Sequence, residues 1–153
     1  MKIFYMKERP TGKEIHSPLD VWVKMQEIGN ADQEAFWVIG LNSVNREVLR
    51  ECIFLGGLSR TNFDIRLLFK RLIENGCSSF FLVHNHPSEI AEPSEDDITL
   101  THDVQRVGFF LNINLIDHLI ITNDKFCSFK ALDKLIEAPK TEKTTCTPKE
   151  KSI

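Results

Sequence analysis

Two histidines, His84 and His86, stand two residues apart, and Asp97 follows eleven residues after the second. Ser94 precedes that aspartate by three positions. The run SSFFLVHNH (78–86) is short and strongly apolar, which predicts a buried strand ending in both histidines. Side chains at i and i+2 of a strand share a face, so both imidazoles can reach one ion. A loop from Pro87 to Pro93 follows, and a helix begins at Ser94. Asp97 then lies in the first turn, where a carboxylate can face back toward the strand end. Two imidazoles and one carboxylate suit zinc and leave a fourth position for water, as in catalytic rather than closed structural sites. Ser94 to Asp97 also fits a helix-capping motif. The two roles are compatible, because a cap holds the helix start where a ligand must be.

The remaining elements must bring that strand end and helix start together. Ser17 and Pro18 predict a helix start, with Ser17 as cap and Pro18 in the first helical position. This helix runs through VWVKMQEI to a stop near Gly29-Asn30. EAFWVIGLN (34–42) is a buried strand rich in aromatic and β-branched residues, Asn42-Ser43 a turn, and Val44 to Phe54 a second strand ended by Gly56-Gly57. Between Asp64 and Asn75, Ile65, Leu68, Phe69, Leu72 and Ile73 recur at helical spacing, and Asn75-Gly76 is the stop. The helix from Ser94 extends to about Phe110, followed by a strand at 113–122, a further one at 126–130, and a short last helix at 131–137. Interleaved helices and strands with one hairpin predict an α/β domain, a mixed sheet flanked by helices.

The 153 residues suffice for one domain with a real core. Apolar residues make up 42% and charged ones 27%, ordinary for a globular protein. The formal charge of −3 is no general footprint of a nucleic-acid binder, although it leaves room for a local basic patch. No apolar run approaches bilayer length, and the apolar stretch at the N-terminus is too short for a signal peptide, so the expected location is cytoplasmic. Cys52, Cys77, Cys127 and Cys146 form no C-x-x-C pair and are read as free thiols. After Pro139 the sequence KTEKTTCTPKEKSI has almost no large apolar residue, which predicts a disordered tail over 138–153. Residues 1–14 are read as an N-terminal extension and 15–137 as the domain.

The pattern H-x-H-x7-S-x2-D is the signature of the JAMM (MPN+) metalloprotease domain. FLVHNHPS, PS-x-x-D, Asp117-His118-Leu119-Ile120 and Arg66 further resemble the RadC family, over roughly residues 15 to 136. The resemblance implies a cytidine-deaminase-like MPN/JAB fold and a zinc ion held by His84, His86 and Asp97. It implies that Ser94 helps hold the water or stabilises the oxyanion, and that Glu34, directly before AFWVIGLN, is the general base. Longer members carry an N-terminal helical segment of DNA-binding type, for which this chain has no room, so the expected match is to short single-domain members. Two positions depart from the family pattern. Glu89 replaces the glycine of HNHPSG, and Ile65 stands before Arg66 where proline is frequent. If position 89 needs a positive φ, the glutamate distorts the loop at some cost.

Other readings stand beside these. Glu34 can be a solvated strand-end charge, and Glu47 and Glu51 are rivals for the base. His118 is either a group behind a ligand or a plain strand residue, and the second reading is preferred. His16 and His102 carry no pattern and are assigned to the surface. Arg66 either contacts substrate or pairs with an acid to hold its helix. Glu89, Glu92, Glu95 and Asp96 make the ligand-bearing segment acidic, which disfavours phosphates and suits cationic or neutral substrates. The expected function is hydrolysis of a peptide or isopeptide-like amide in a peptide or protein substrate, by one zinc ion and a glutamate base. The alternatives are a DNA-repair-associated or nuclease-like factor and a non-catalytic, metal-stabilised binding module. The sequence leaves the oligomeric state open and gives no sign of a membrane partner.

Overall fold

A computed structural model describes residues 10–56 and 62–140. Its elements are α1 (Pro18–Met25), a 3-10 turn (Gln26–Asn30), β1 (Ala35–Leu41), β2 (Glu47–Leu55), α2 (Ile65–Glu74), β3 (Ser79–Asn85), α3 (Glu95–Leu111), β4 (Asn114–Ile121) and β5 (Phe126–Ser128). The strands form one mixed sheet in the order β2-β1-β3-β4-β5. Among the described residues only the β3–β4 pair is parallel, and α3 lies between its two strands in the chain. β1 pairs antiparallel with β2 on one side and with β3 on the other.

Both faces of the sheet are covered, which is why β1 is buried along its whole length. On one face Phe36, Val38, Phe80, Leu82 and Leu115 pack with Leu68, Phe69 and Leu72 of α2 and with Leu100 and Val104 of α3. On the other, Trp37, Ile39, Phe81, Val83, Leu119 and Ile121 pack with Val21 and Met25 of α1 and with Ile28. This three-layer arrangement is the expected mixed sheet flanked by helices. Among the described residues no helix is long and apolar enough to cross a membrane.

The helix starts follow the capping chemistry of the sequence. Ser17 caps α1 in a reciprocal box with Asp20. Asp64 caps α2 by accepting from the backbone N–H groups of Arg66 and Leu67. The 3-10 turn after α1 lies against the end of β4: a Cβ on Gly29 would stand 2.2 Å from the Thr122 carbonyl oxygen. That close approach sets the path of the segment leading to Glu34.

Three local expectations change. β2 begins at Glu47 rather than Val44, because the Asn42 side chain accepts from the Val44 and Arg46 N–H groups and Asn45 adopts φ 60°. β5 stops at Ser128. Residues 131–137 form no helix. One turn closes from Leu132 N–H to the Ser128 carbonyl, and Asp133 then enters the left-handed region at φ 55°. The Lys134 N–H bonds back to Phe129, which caps the turn as a helix C-terminus is capped. The predicted tail and N-terminal extension lie largely outside the described residues.

Candidate metal centre

The strand β3 carries His84 and Asn85 at its end, and His86 follows directly. α3 starts beside them, and its N-cap Ser94 forms a reciprocal box with Asp97. The Ser94 hydroxyl accepts from the Asp97 N–H at 3.1 Å, and Asp97 Oδ2 accepts from the Ser94 N–H at 2.8 Å. The capping and ligand readings of Asp97 therefore hold together. While capping, its carboxylate still reaches both imidazoles, with Oδ1 3.4 Å from His84 Nε2 and Oδ2 3.2 Å from His86 Nε2.

Glu34 enters from the neighbouring strand, where Phe36 pairs with His84. Its Oε1 lies 3.8 Å from His84 Nε2. Ligand atoms of Glu34, His84, His86 and Asp97 all fall within 4.8 Å of one another. Glu34, His86, Pro87, Ser88, Ser94 and Asp97 line a pocket of about 320 Å³. A larger hollow of about 560 Å³ lies near Phe109, Phe110 and Ile136, at the other end of α3, far from these groups.

The donor chemistry fits a divalent cation. The His86 Nδ1–H donates to the Ile90 carbonyl at 2.8 Å, which leaves the Nε2 lone pair of the neutral ring facing the group. His84 Nε2 is 2.8 Å from that atom. Two ring nitrogens this close, with two carboxylates beside them, form a group that could hold one cation. Zinc is the cation whose usual ligands these are. Burial holds the His84 ring below its ordinary pKa. Burial also acts to lower His86, but Asp97 and the Ile90 carbonyl outweigh it and the net shift is upward. The two rings share Asp97 and still shift oppositely, because His84 is wholly enclosed and His86 is not. Burial acts to raise Asp97, but the closeness of the two imidazoles and the hydrogen bond from the Ser94 backbone outweigh it and hold its pKa below the usual carboxylate range. It is thus an anion, as a ligand must be.

The rivals for the base are elsewhere. Glu47 is enclosed by Lys24, Arg50 and Thr11, and Glu51 pairs with Arg71. Arg66 is almost fully exposed and pairs with the cap residue Asp64 at 3.3 Å, so it serves its helix. His16 is exposed and pairs with Glu14, while His102 Nε2 meets the Lys134 carbonyl. Glu89, Glu92, Glu95 and Asp96 are exposed around the pocket.

Sequence reasoning passed over one residue beside the site, Asn85, and preferred to leave another, His118, out of it. Asn85, between the histidines, is fully buried. Its side-chain oxygen accepts from the Ala35 N–H at 2.8 Å and its amide donates to the Gln33 carbonyl at 3.0 Å. It therefore clamps the backbone on both sides of Glu34 and ties the candidate base to the ligand strand. His118 corrects the preferred reading of it as a plain strand residue. It is fully buried, and its Nε2 stands 2.7 Å from His84 Nδ1. An aromatic ring stacks on each imidazole: Phe36 on His84 at 4.2 Å between centroids, Phe129 on His118 at 4.4 Å. The signal in the sequence was the run Asp117-His118, but only register places it.

A family model described as a RadC-like JAB domain matches residues 15–135. A UPF0758 protein of Flavobacterium johnsoniae is 40% identical over 118 residues, which are 76% of this chain and 52% of that protein. One of Desulforamulus reducens is 38% identical over 118 residues, again 76% and 52%. One of Clostridium perfringens is 34% identical over 126 residues, 82% and 56%. The chain thus spans about half the length of the curated relatives it matches. With its mixed sheet, its reciprocal cap at Ser94 and a Glu-His-His-Asp group that can hold a metal, the chain belongs to the RadC-like JAB domain family.

Proposed function

We propose that this chain is a zinc-dependent hydrolase of JAMM type that cleaves a peptide or isopeptide-like amide. The observation that supports it most is the convergence of Glu34, His84, His86 and Asp97 within 4.8 Å beside an accessible pocket. His84, His86 and Asp97 hold the ion. Bound there, zinc lowers the pKa of a water and polarises a substrate carbonyl. Glu34 takes the water's proton on its carboxylate and returns it to the departing amine. Ser94, at the pocket rim, accepts from the Asp97 N–H, which fixes its oxygen and leaves the hydroxyl hydrogen to be offered to the carbonyl oxygen as charge develops there. The exposed acids around the pocket favour cationic or neutral substrates over phosphates.

Metal analysis of the purified protein should find one zinc per chain, lost in His84→Ala and in Asp97→Ala. Full zinc content in both variants sinks the site. Glu34→Gln should keep zinc and lose turnover of peptide and isopeptide substrates. DNA cleavage that disappears in Glu34→Gln would replace the amide substrate with a nucleic acid. Zinc binding that raises thermal stability, with no turnover of any substrate class, would favour a binding module.

A further inference from the structure

The strands β3 and β4 run parallel, but their register slips between Phe80 and Phe81. Phe80 pairs with Leu115 and Phe81 pairs with Asp117, so Ile116 is an extra residue in β4. Strand side chains alternate between faces, and one extra residue exchanges the faces of everything after it. Without the slip, Leu115, Asp117 and Leu119 would share the face toward α2 and α3, and His118 would point away. With it, Leu119 and Ile121 join the α1 side, and His118 pairs with Leu82 on the face that holds His84. The irregularity brings one imidazole under another.

The hydrogen bonds around His118 have a fixed direction. The Thr101 hydroxyl donates to the Asp97 carbonyl at 2.6 Å, and a carbonyl can only accept. The hydroxyl has one hydrogen, so toward His118 Nδ1, 2.7 Å away, it is an acceptor. His118 Nδ1 therefore carries a hydrogen. The ring's other nitrogen, Nε2, then meets His84 Nδ1 with its lone pair. Its two partners are a hydroxyl and an imidazole, neither an anion, and the ring is wholly buried, which favours the neutral form. His84 Nδ1 must then be the donor, and His84 Nε2 is left bare toward Glu34 and Asp97. The chain of bonds begins at the backbone of Asp97 and ends at His84, so it links two residues of the same centre.

We propose that His118 is a positioning residue of the metal centre: by accepting from the His84 Nδ1–H it fixes the ring form in which the His84 Nε2 lone pair faces the ion, and Thr101 fixes His118 in turn. The partner of a metal-binding histidine is usually a carboxylate, a backbone carbonyl or water. A second imidazole here directs the ring without adding a negative charge behind it. The inference concerns the ring form of His84, and only its effect on affinity rests on the zinc reading above.

The test uses the full chain, stripped of metal and then loaded with zinc. Long-range proton–nitrogen NMR of the histidine rings should show His84 protonated at Nδ1 in the metal-free wild type and the Nε2–H form populated in His118→Phe. Competition against a chromophoric chelator should show zinc affinity falling about 10- to 100-fold in His118→Phe. His118→Gln, whose amide offers an acceptor to His84 and a donor to Thr101, should restore it to within a few-fold. A metal-free wild type with His84 protonated at Nε2 overturns the proposal, as does a folded His118→Phe that binds zinc like the wild type. If His118→Phe does not fold, the wild-type ring spectrum and His118→Gln decide the matter. A wild type that binds no zinc defeats the hydrolase reading alone, because the ring spectrum still decides for or against His118.

Discussion

Among the described residues, two buried clusters of charged and polar groups, one around Glu47 and one around Asp97, are balanced differently. At the start of β2, Glu47 is enclosed by protein cations: Arg50 Nε at 2.6 Å and Lys24 Nζ at 2.9 Å, with the Thr11 hydroxyl at 2.7 Å. Beyond the end of β3, Asp97 and Glu34 meet two imidazoles whose Nε2 atoms are 2.8 Å apart. The first cluster carries its own countercharge. The second brings anions and lone pairs to one point and could hold a cation from outside. A buried carboxylate alone therefore does not mark a functional site. What surrounds it decides, since a satisfied ion pair has nothing left to offer a ligand.

The largest expected effect is that of the ion. A ligand that binds only the folded state stabilises it by about 4 kcal/mol at a concentration 1,000 times its Kd. Saturating zinc should raise the melting temperature of the wild type, a chelator should reverse the rise, and Asp97→Ala should abolish it. Glu47→Ala should keep it. A zinc response lost in Glu47→Ala would mean that the two clusters are not independent.

Glu47→Ala should instead act on the apo fold. It removes the carboxylate that Lys24 and the buried Arg50 share, and breaking a buried pair costs about 3–5 kcal/mol. Urea denaturation reads that loss, while zinc stoichiometry should stay at the wild-type value. A loss below about 1 kcal/mol would class the cluster with ordinary surface pairs.

The same cluster has a pH signature. Burial acts to raise the Glu47 carboxyl, but hydrogen bonds from Arg50, Lys24 and Thr11 outweigh it and hold the pKa below its ordinary value. A depressed carboxylate stabilises the fold above its unfolded pKa, about 4.3, and loses that contribution as the pH falls through the lower folded value. The stability gap between wild type and Glu47→Gln should therefore be full at pH 6 and shrink below about pH 4. A gap that widens on acidification contradicts the assignment.

What could be read in advance follows from the range of the interactions. Ser17 and Ser94 announced their helices because a cap acts within three residues. His84, His86 and Asp97 were legible because strand alternation and a first helical turn are local geometry. For His118 the plain strand residue was preferred over a group behind a ligand, because the extra residue at Ile116 that sets its face cannot be seen in β4 alone. Asn85 was passed over because its partners, Gln33 and Ala35, lie some fifty positions away. Glu47 looked like a rival base because its acid was visible and its two cations, on α1 and further along β2, were not. The last helix failed for a local reason, the left-handed turn at Asp133, which no glycine announced.

The smallest expected effect concerns the backbone beside the metal group. Asn45, in the turn that leads into the Glu47 cluster, has φ 60°, and asparagine tolerates that conformation. Beside the metal group it is Glu89 that takes the left-handed conformation, at φ 62°. Its N–H donates to the His86 carbonyl at 3.0 Å and closes the turn that carries the second histidine. The positive φ is thus needed there, in a residue whose Cβ crowds its own backbone at a cost of about 1–2 kcal/mol. Glycine removes that clash but adds freedom to the unfolded chain, worth about 0.5–1 kcal/mol. Glu89→Gly should therefore stabilise the apo protein by roughly 0.5–1 kcal/mol, read as a higher urea midpoint at unchanged slope. Glu89→Ala keeps the Cβ and should gain nothing, which separates backbone strain from the loss of a negative charge. Equal gains in both variants would assign the effect to charge, and the strain would then not be what distinguishes this loop from the turn at Asn45.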